Sequence, residues 1–266
     1  MKRVIILFFL ATSLGCLQAQ IEHFQGSFEI ENGKIIVQYP KKGEILRMRF
    51  SSVLPGNYLS RETADRLKYE YSMGSDSFYV FQYFLPACFL KQGSDTYFVI
   101  SDFSKAEELE GLDGVMGRGL LQFNVVNMDF KNRKISFTET IEEDLSERKI
   151  DTLQMYVKTD PNTLYYASGV MEYDHKKDSV DIVFNFIEDY AMLASLKESF
   201  RSKDADSSIT ILSPSPFQAK IHGSQIKYVR SYDDAERSTL YLGLPFLEKY
   251  KNAIFDYPHN RVLLVE

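Results

Sequence analysis

The chain of 266 residues has no tryptophan, two cysteines and four histidines, and each scarcity removes a class of explanation. Cys16 falls in an N-terminal segment that reads as removable, which leaves Cys88 alone. No internal disulfide can then form, and the fold must stand on its packing. Cys88 lies in Phe84-Leu85-Pro86-Ala87-Cys88-Phe89-Leu90, a wholly apolar setting that suits a structural thiol rather than a nucleophile. His23, His175, His222 and His259 are isolated and show no metal-ligand spacing. Gly-x-Ser-x-Gly, His-Glu-x-x-His, Cys-x-x-Cys and a phosphate-binding glycine loop are all missing, so neither a cofactor nor a metal is expected. There is no run of Lys and Arg, and the formal net charge is −6, which gives no electrostatic footprint for nucleic acid or an anionic membrane surface. Peptides, small molecules or another protein are the partners that remain.

No apolar stretch reaches the ~20 residues that a membrane-spanning helix needs. Met1-Lys2-Arg3, the apolar run from Val4 to Leu14 and Gly15-Cys16-Leu17-Gln18-Ala19-Gln20 instead follow the charged, hydrophobic and small-residue order of a secretory signal peptide. Residues 1–19 are therefore expected to be removed, with Gln20 as the mature N-terminus. The rival is a lipoprotein signal with Cys16 as the lipidated residue. The leucine such signals prefer three residues before the cysteine falls at Leu14, two before it. On either reading the product is exported, periplasmic or secreted, and is expected to be a monomer that does not span the membrane.

What the chain does have is 44% hydrophobic and 14% aromatic residues, enough core for two modest domains. It also has one long element used twice. Val115-Met116-Gly117-Arg118-Gly119-Leu120-Leu121 returns as Tyr241-Leu242-Gly243-Leu244-Pro245-Phe246-Leu247, and Asn127-Met128-Asp129-Phe130 returns as Ile254-Phe255-Asp256-Tyr257. Two copies at this spacing mean two homologous lobes, since a solenoid would need at least three short units. Glu139 to Arg148 is charge-dense and nearly free of aliphatics, so the boundary is drawn there: lobes over 20–140 and 151–266, joined by a linker over 141–150. Branched and aromatic runs bounded by Asn, Gly and Pro predict strands through both lobes. A short helix is predicted from Ser60, another over Ala191 to Phe200, turns at Lys41-Lys42 and Lys176-Lys177, and a hairpin tip at Met73-Gly74-Ser75-Asp76.

Two all-β lobes of this order, each closed by a hydrophobic-hydrophobic-Gly strand, a Leu and an Asp-aromatic hairpin, resemble the bilobal aspartic peptidases of the pepsin type. The repeated Gly-x-x-x-Leu…Asp-aromatic element also resembles the one that closes each lobe in bacterial members of that superfamily. The resemblance covers nearly all of the mature chain. It implies two pseudo-symmetric pepsin- or retropepsin-like β-barrel lobes with short helices and a cleft between them. It further implies that Val115-Met116-Gly117 and Tyr241-Leu242-Gly243 thread beside the loops that bear the catalytic aspartates, where glycine allows close backbone approach. Asp129 and Asp256 read as turn-forming residues.

The family's catalytic loop is Asp-Thr/Ser-Gly, and neither Asp-Thr-Gly nor Asp-Ser-Gly occurs in this chain. Aligning the Lys-Lys turns, and Leu59 with Leu193, puts Ser51 and Asn185 in the aspartate positions, with Val53 and Ile187 in place of the glycine. An aspartic peptidase needs two close carboxylates sharing one proton. Serine does not ionise near pH 7 and an amide is neither acid nor useful base, so no catalytic residue is expected. The expectation is an inactive protein that holds an extended peptide or protein partner in the cleft, with Ser52, Tyr71, Phe78, Tyr79 and Phe186 as cleft or flap contacts. The alternative is a divergent endopeptidase that uses relocated acids, Glu188, Asp189 or Glu62. An envelope subunit with an unused cleft is a third reading.

Overall fold

The structure, a computed structural model, describes residues 23–52, 54, 56–80, 83–90, 98–117, 121, 124–157, 165–173, 176–186, 192–197, 210–212, 220–222, 228–232 and 237–266. The predicted signal segment lies outside them. The first lobe opens with three strands, β1 (Phe24–Glu31), β2 (Lys34–Lys41) and β3 (Glu44–Phe50). The turns between them are Asn32-Gly33 and Lys42-Gly43, with φ of 50° and 72°, then 48° and 81°. Left-handed residues at both turn positions match the twist of the flanking strands, so consecutive hairpins form here. Then come β4 (Asn57–Ser60), α1 (Arg61–Arg66), β5 (Tyr71–Val80), β6 (Tyr83–Leu90), β7 (Phe98–Ser101), two 3-10 turns at Phe103–Lys105 and Glu107–Leu109, β8 (Gly114–Met116), β9 (Val125–Asp129) and β10 (Lys134–Thr138). Ser60 caps α1 by accepting the Thr63 N–H at 3.0 Å.

The second lobe holds β11 (Ile150–Val157), β12 (Tyr165–Tyr173), β13 (Lys176–Phe184), β14 (Met192–Lys197), β15 (Thr210–Leu212), β16 (Lys220–His222), β17 (Tyr228–Tyr232), β18 (Ser238–Leu242), α2 (Leu244–Leu247), β19 (Asn252–Asp256) and β20 (Arg261–Val265). Three local expectations are corrected. Within the predicted helix over Ala191 to Phe200, Met192–Lys197 form the strand β14, paired with β17 and β18. Its Ala, Met, Leu and Lys favour a helix only in isolation, and sheet pairing overrides that preference. Lys176 and Lys177 belong to β13, not to a turn. Met73 to Asp76 is no hairpin tip: β5 pairs Met73 with Cys88 and Ser77 with Pro86, so three residues face Ala87 in a bulge, and the chain reverses beyond Val80.

The lobes meet in one antiparallel sheet whose order is β1-β10-β9-β19-β20-β11. At its centre β9 pairs with β19, and Asn127 lies opposite Ile254. These two residues are counterparts in the repeat, so a pseudo-two-fold axis passes between them. The symmetry fails on one face. Val125, Ile254, Leu263 and Val265 make it apolar around the second lobe's strands, and Ile141 and Leu145 of the connecting segment pack onto that patch. Around the first lobe's strands the same face carries Gln25, Ser27, Asn127, Lys134 and Ser136 and stays open as a hollow of about 420 Å³.

In the first lobe a single carboxylate ties β3 and α1 to the segment that leads into β8. Asp113 accepts the Arg47 N–H of β3 at 2.8 Å, the Thr63 hydroxyl of α1 at 2.7 Å and Arg66 Nη2 at 2.5 Å. Burial by itself would push its carboxyl up. Arg66, the Arg47 N–H and the Thr63 hydroxyl outweigh that and hold it below the ordinary range. A folded-state pKa below the unfolded one gives a contribution that is complete above ~3.9 and lost as pH falls through the folded value. Asp113→Asn should therefore cost about 1–2 kcal/mol at pH 6. Urea titrations at decreasing pH should show the gap closing towards pH 2, and a gap that does not change with pH would contradict this account.

Candidate functional site

Two equivalent loops, one in each lobe, form the site that the repeat predicts. β3 runs parallel to β8 with Phe50 opposite Met116, and β13 runs parallel to β18 with Phe184 opposite Leu242. The next residue in each lobe makes the same bond. Ser51 N–H donates to the Met116 carbonyl at 2.8 Å, and Asn185 N–H donates to the Leu242 carbonyl at 2.9 Å. Positions 51 and 185 are therefore counterparts in backbone geometry. One alignment anchor shifts: Tyr58 lies opposite Val115 and Leu193 opposite Tyr241. Since Val115 and Tyr241 correspond, Leu193 matches Tyr58 rather than Leu59, and the second loop is one residue longer.

The first of these loops is crossed by the strand end at Gly117. The Gly117 N–H donates to Asn57 Oδ1 at 2.9 Å. A Cβ placed on Gly117 would lie 2.1 Å from the Gly56 carbonyl oxygen and 2.8 Å from that of Leu54. Only a residue without a side chain can pass there, because the obstacle is backbone and cannot rotate away. Ser51 above this crossing is 0% exposed, and its Oγ accepts the Leu54 N–H at 3.3 Å. Asn185 is partly exposed.

The residues that follow form the inter-lobe contact, and they do so by different physics on the two sides. Ser52 Oγ donates to the Phe184 carbonyl at 2.7 Å, reaching from one lobe into the other. Its counterpart is Phe186, which has no group to donate to Phe50 in return. The Phe186 ring instead stacks on the Phe50 ring, with centroids 5.1 Å apart and planes at 25°. It also meets Phe255 edge-on at 5.1 Å. Phe184 packs on the same Phe255, with centroids 5.3 Å apart. One half of the pseudo-symmetric contact is thus a hydrogen bond and the other an aromatic stack.

This placement changes the expected contact set. Phe186 is fully buried and belongs to the core, so it is not a cleft residue. Ser52 is turned into the lobe interface. The Tyr71 hydroxyl donates to Asp65 Oδ1 at 2.6 Å and its ring packs against the main core, which makes it a support at the base of the β5–β6 hairpin. Phe78 and Tyr79 lie on β5, and their side chains are outside the described residues, as are Glu188 and Asp189. Glu62 is exposed on α1 and lines a hollow of about 720 Å³ walled by α1 and the 3-10 turns, with no residue of the 51–57 loop in its wall. Asp129 accepts the Asn132 N–H at 2.9 Å. Asp256 accepts Arg261 Nε at 2.7 Å and meets His259 Nδ1 at 2.7 Å. Both act within their own hairpins. Among the described residues no group of three or more His, Cys, Asp or Glu side chains could hold a metal ion.

A signal for the aromatic half of the contact was present in the sequence: Phe50 and Phe184 each precede the loop, and Phe186 adds a third ring. Nothing in the spacing alone showed that these rings meet across the lobes.

No family model matches the chain and no curated protein matches it. Solved structures do. The chain is similar to basic 7S globulin from soybean, with 11% identity, coverage of 92% of this chain and 95% of that one, and a TM-score of 0.54. It is likewise similar to conglutin gamma, a basic 7S globulin from lupine seeds, with 9% identity, coverage of 93% and 95%, and a TM-score of 0.57. Likeness at such identities is likeness of fold: all-β, bilobal and pepsin-like.

Three substitutions test the geometry of the loops. Gly117→Ala should destabilise the protein by about 3 kcal/mol or more, because backbone must move to admit the methyl group. Across the lobe contact, Phe186→Ala should cost about 3–5 kcal/mol against about 1 kcal/mol for Ser52→Ala. Chemical denaturation of the three variants reads both. Equal costs for Phe186→Ala and Ser52→Ala would show that the ring stack contributes no more than the hydrogen bond.

Proposed function

We propose that this chain is an exported, catalytically inactive protein of the aspartic-peptidase fold that holds an extended peptide, or an extended segment of a partner protein, between its lobes. The observation that carries the proposal is the chemistry of the two loop positions. Ser51 and Asn185 take equivalent backbone bonds, and neither bears a carboxylate. A pair of acids that shares a proton, activates water and protonates the leaving nitrogen has no counterpart there. Binding has no such requirement. An extended ligand is held by main-chain hydrogen bonds along a strand-like path and by pockets for alternate side chains, and both survive the loss of acids. The long β5–β6 hairpin, with Phe78 and Tyr79 on β5, is the element assigned to cover such a ligand. Kinship with bacterial members of the superfamily rests on the repeated Gly-x-x-x-Leu…Asp-aromatic element, and export rests on the signal pattern of residues 1–19.

The test is to incubate the mature protein with a mixed-sequence decapeptide library from pH 3 to pH 7 and to follow cleavage by mass spectrometry and retention by affinity capture. Retention of a subset of extended peptides without any cleavage is expected throughout. Cleavage that disappears in Glu188→Gln or Asp189→Asn would replace this reading with that of an endopeptidase using relocated acids. Absence of both cleavage and retention would leave the cleft without a function.

A further inference from the structure

We infer that the open hollow on the outer face of the six-stranded sheet is a binding site for a neutral saccharide, separate from the cleft and independent of the cleft reading. Strand alternation sets the chemistry of its floor. On β9 and β10, Met128, Ile135 and Phe137 point into the main core, so Asn127, Lys134 and Ser136 fall on the opposite face and line the hollow. The fold itself does not call for polar residues there. Asn127 lies opposite Ser136 in the first lobe, and Ile254 lies opposite Leu263 in the second. The second lobe's copy of this spot is an apolar patch under the connecting segment. The first lobe's copy is polar and concave, and its volume of about 420 Å³ falls in the ~300–1,000 Å³ range of small-molecule sites.

The side chains around the hollow are held in place without being used up. Asn252, 2% exposed, donates from Nδ2 to Asn127 Oδ1 at 3.0 Å and to Glu143 Oε2 at 3.2 Å. That bond takes up the Asn127 oxygen and leaves both hydrogens of its Nδ2 without a partner among the described residues. The Ser27 and Ser136 hydroxyls and the Lys134 ammonium are likewise unpaired there. Asp129 and Glu143 add carboxylate oxygens with lone pairs to spare. Asn252 Oδ1 is buried and has no partner, an unmet acceptor in a wall that the second lobe builds from aliphatics.

The ligand class follows from the mixture. Charges nearly cancel: Lys134 lies opposite Asp129, and Glu143 pairs with Lys251 at 3.8 Å, so neither a compact anion nor a cation meets an excess of opposite charge. The strands of the floor, β1, β10 and β9, are bonded to one another and offer no free edge to a peptide main chain. A neutral ligand whose every polar group both donates and accepts fits both facts, and sugar hydroxyls have that property. Adjacent hydroxyls of one ring suit the paired hydrogens of the Asn127 carboxamide and the paired oxygens of a carboxylate.

The experiment titrates glucose, galactose, mannose, N-acetylglucosamine, cellobiose, lactose and maltose into the mature protein by calorimetry, with inorganic phosphate and spermidine as charged probes. At least one saccharide should bind, and neither ion should. Asn127→Ala should weaken that binding about tenfold, the size of losing two neutral hydrogen bonds at the low end of their net worth. Ser136→Leu, which places the second lobe's residue in the hollow, should remove it while circular dichroism stays unchanged. Glu62→Gln, in the other hollow, should leave the affinity as it is, and decapeptides retained by the cleft should not compete. The inference fails if no saccharide of the set binds, or if binding is the same in wild type, Asn127→Ala and Ser136→Leu. Competition by the decapeptides would move the sugar to the cleft, and binding of phosphate or spermidine that Asn127→Ala weakens would make this an ion site; either result overturns the assignment. The cleft reading is judged separately, by peptide retention.

Discussion

The first lobe is arranged around a backbone crossing that admits no side chain. The strand end at Gly117 passes so close beneath the loop from Ser51 to Asn57 that the Gly56 carbonyl oxygen would lie 2.1 Å from any Cβ. The crossing fixes the loop from below, while the parallel pairing of β3 with β8 fixes its start. The same parallel arrangement recurs with β13 and β18, followed by Gly243. A loop held at both ends by backbone keeps its shape whatever side chains it carries. That is why two loops with unrelated residues, Ser51-Ser52 and Asn185-Phe186, still present matching hydrogen bonds to Met116 and Leu242.

The two lobes are joined by a more forgiving interaction. The central pairing of β9 with β19 is antiparallel, and it needs only regular backbone on each side. Side chains are free to differ across the axis, and they do. Asn127 faces Ile254, the outer face is polar around one lobe's strands, and it is apolar around the other's, where Ile141 and Leu145 cover it. The connecting segment reads as a linker because it is charge-dense. Its aliphatics Ile141, Leu145 and Ile150 are nonetheless the ones that pack, so composition over ten residues hides what a few of them do.

Much of this was legible beforehand because it repeats. The Gly117 and Gly243 pair, the Asp129 and Asp256 hairpins and the order of strands follow from self-similarity. A short-range pattern gave Ser60 as the cap of α1, with a hydrogen bond that the structure contains. What escaped was set by distant pairing. The stretch Met192 to Lys197 carries helix-forming residues and becomes a strand only because β17 and β18 lie on either side of it. Leu193 looked like the partner of Leu59 because both are leucines eight residues past the loop start, while the register shows an added residue. Two of the expected contacts, Tyr71 and Phe186, were misread for a similar reason. Tyr71 and Phe186 are aromatic residues near the expected cleft, and nothing in their spacing tells a lining residue from a packed one.

The residues of the two loops are also mutually consistent as physical chemistry. A carboxylate at position 51 would have to be desolvated to be as buried as Ser51 is, and an ionised group without a partner is strained by that burial. A hydroxyl is satisfied there by the Leu54 N–H. Once neither position carries charge, the surroundings no longer need polar groups, and a ring at position 186 can stack on Phe50 and meet Phe255. The rings in turn lower the local polarity and make a charge there unfavourable. Neutral loop residues and an aromatic lobe contact therefore support each other.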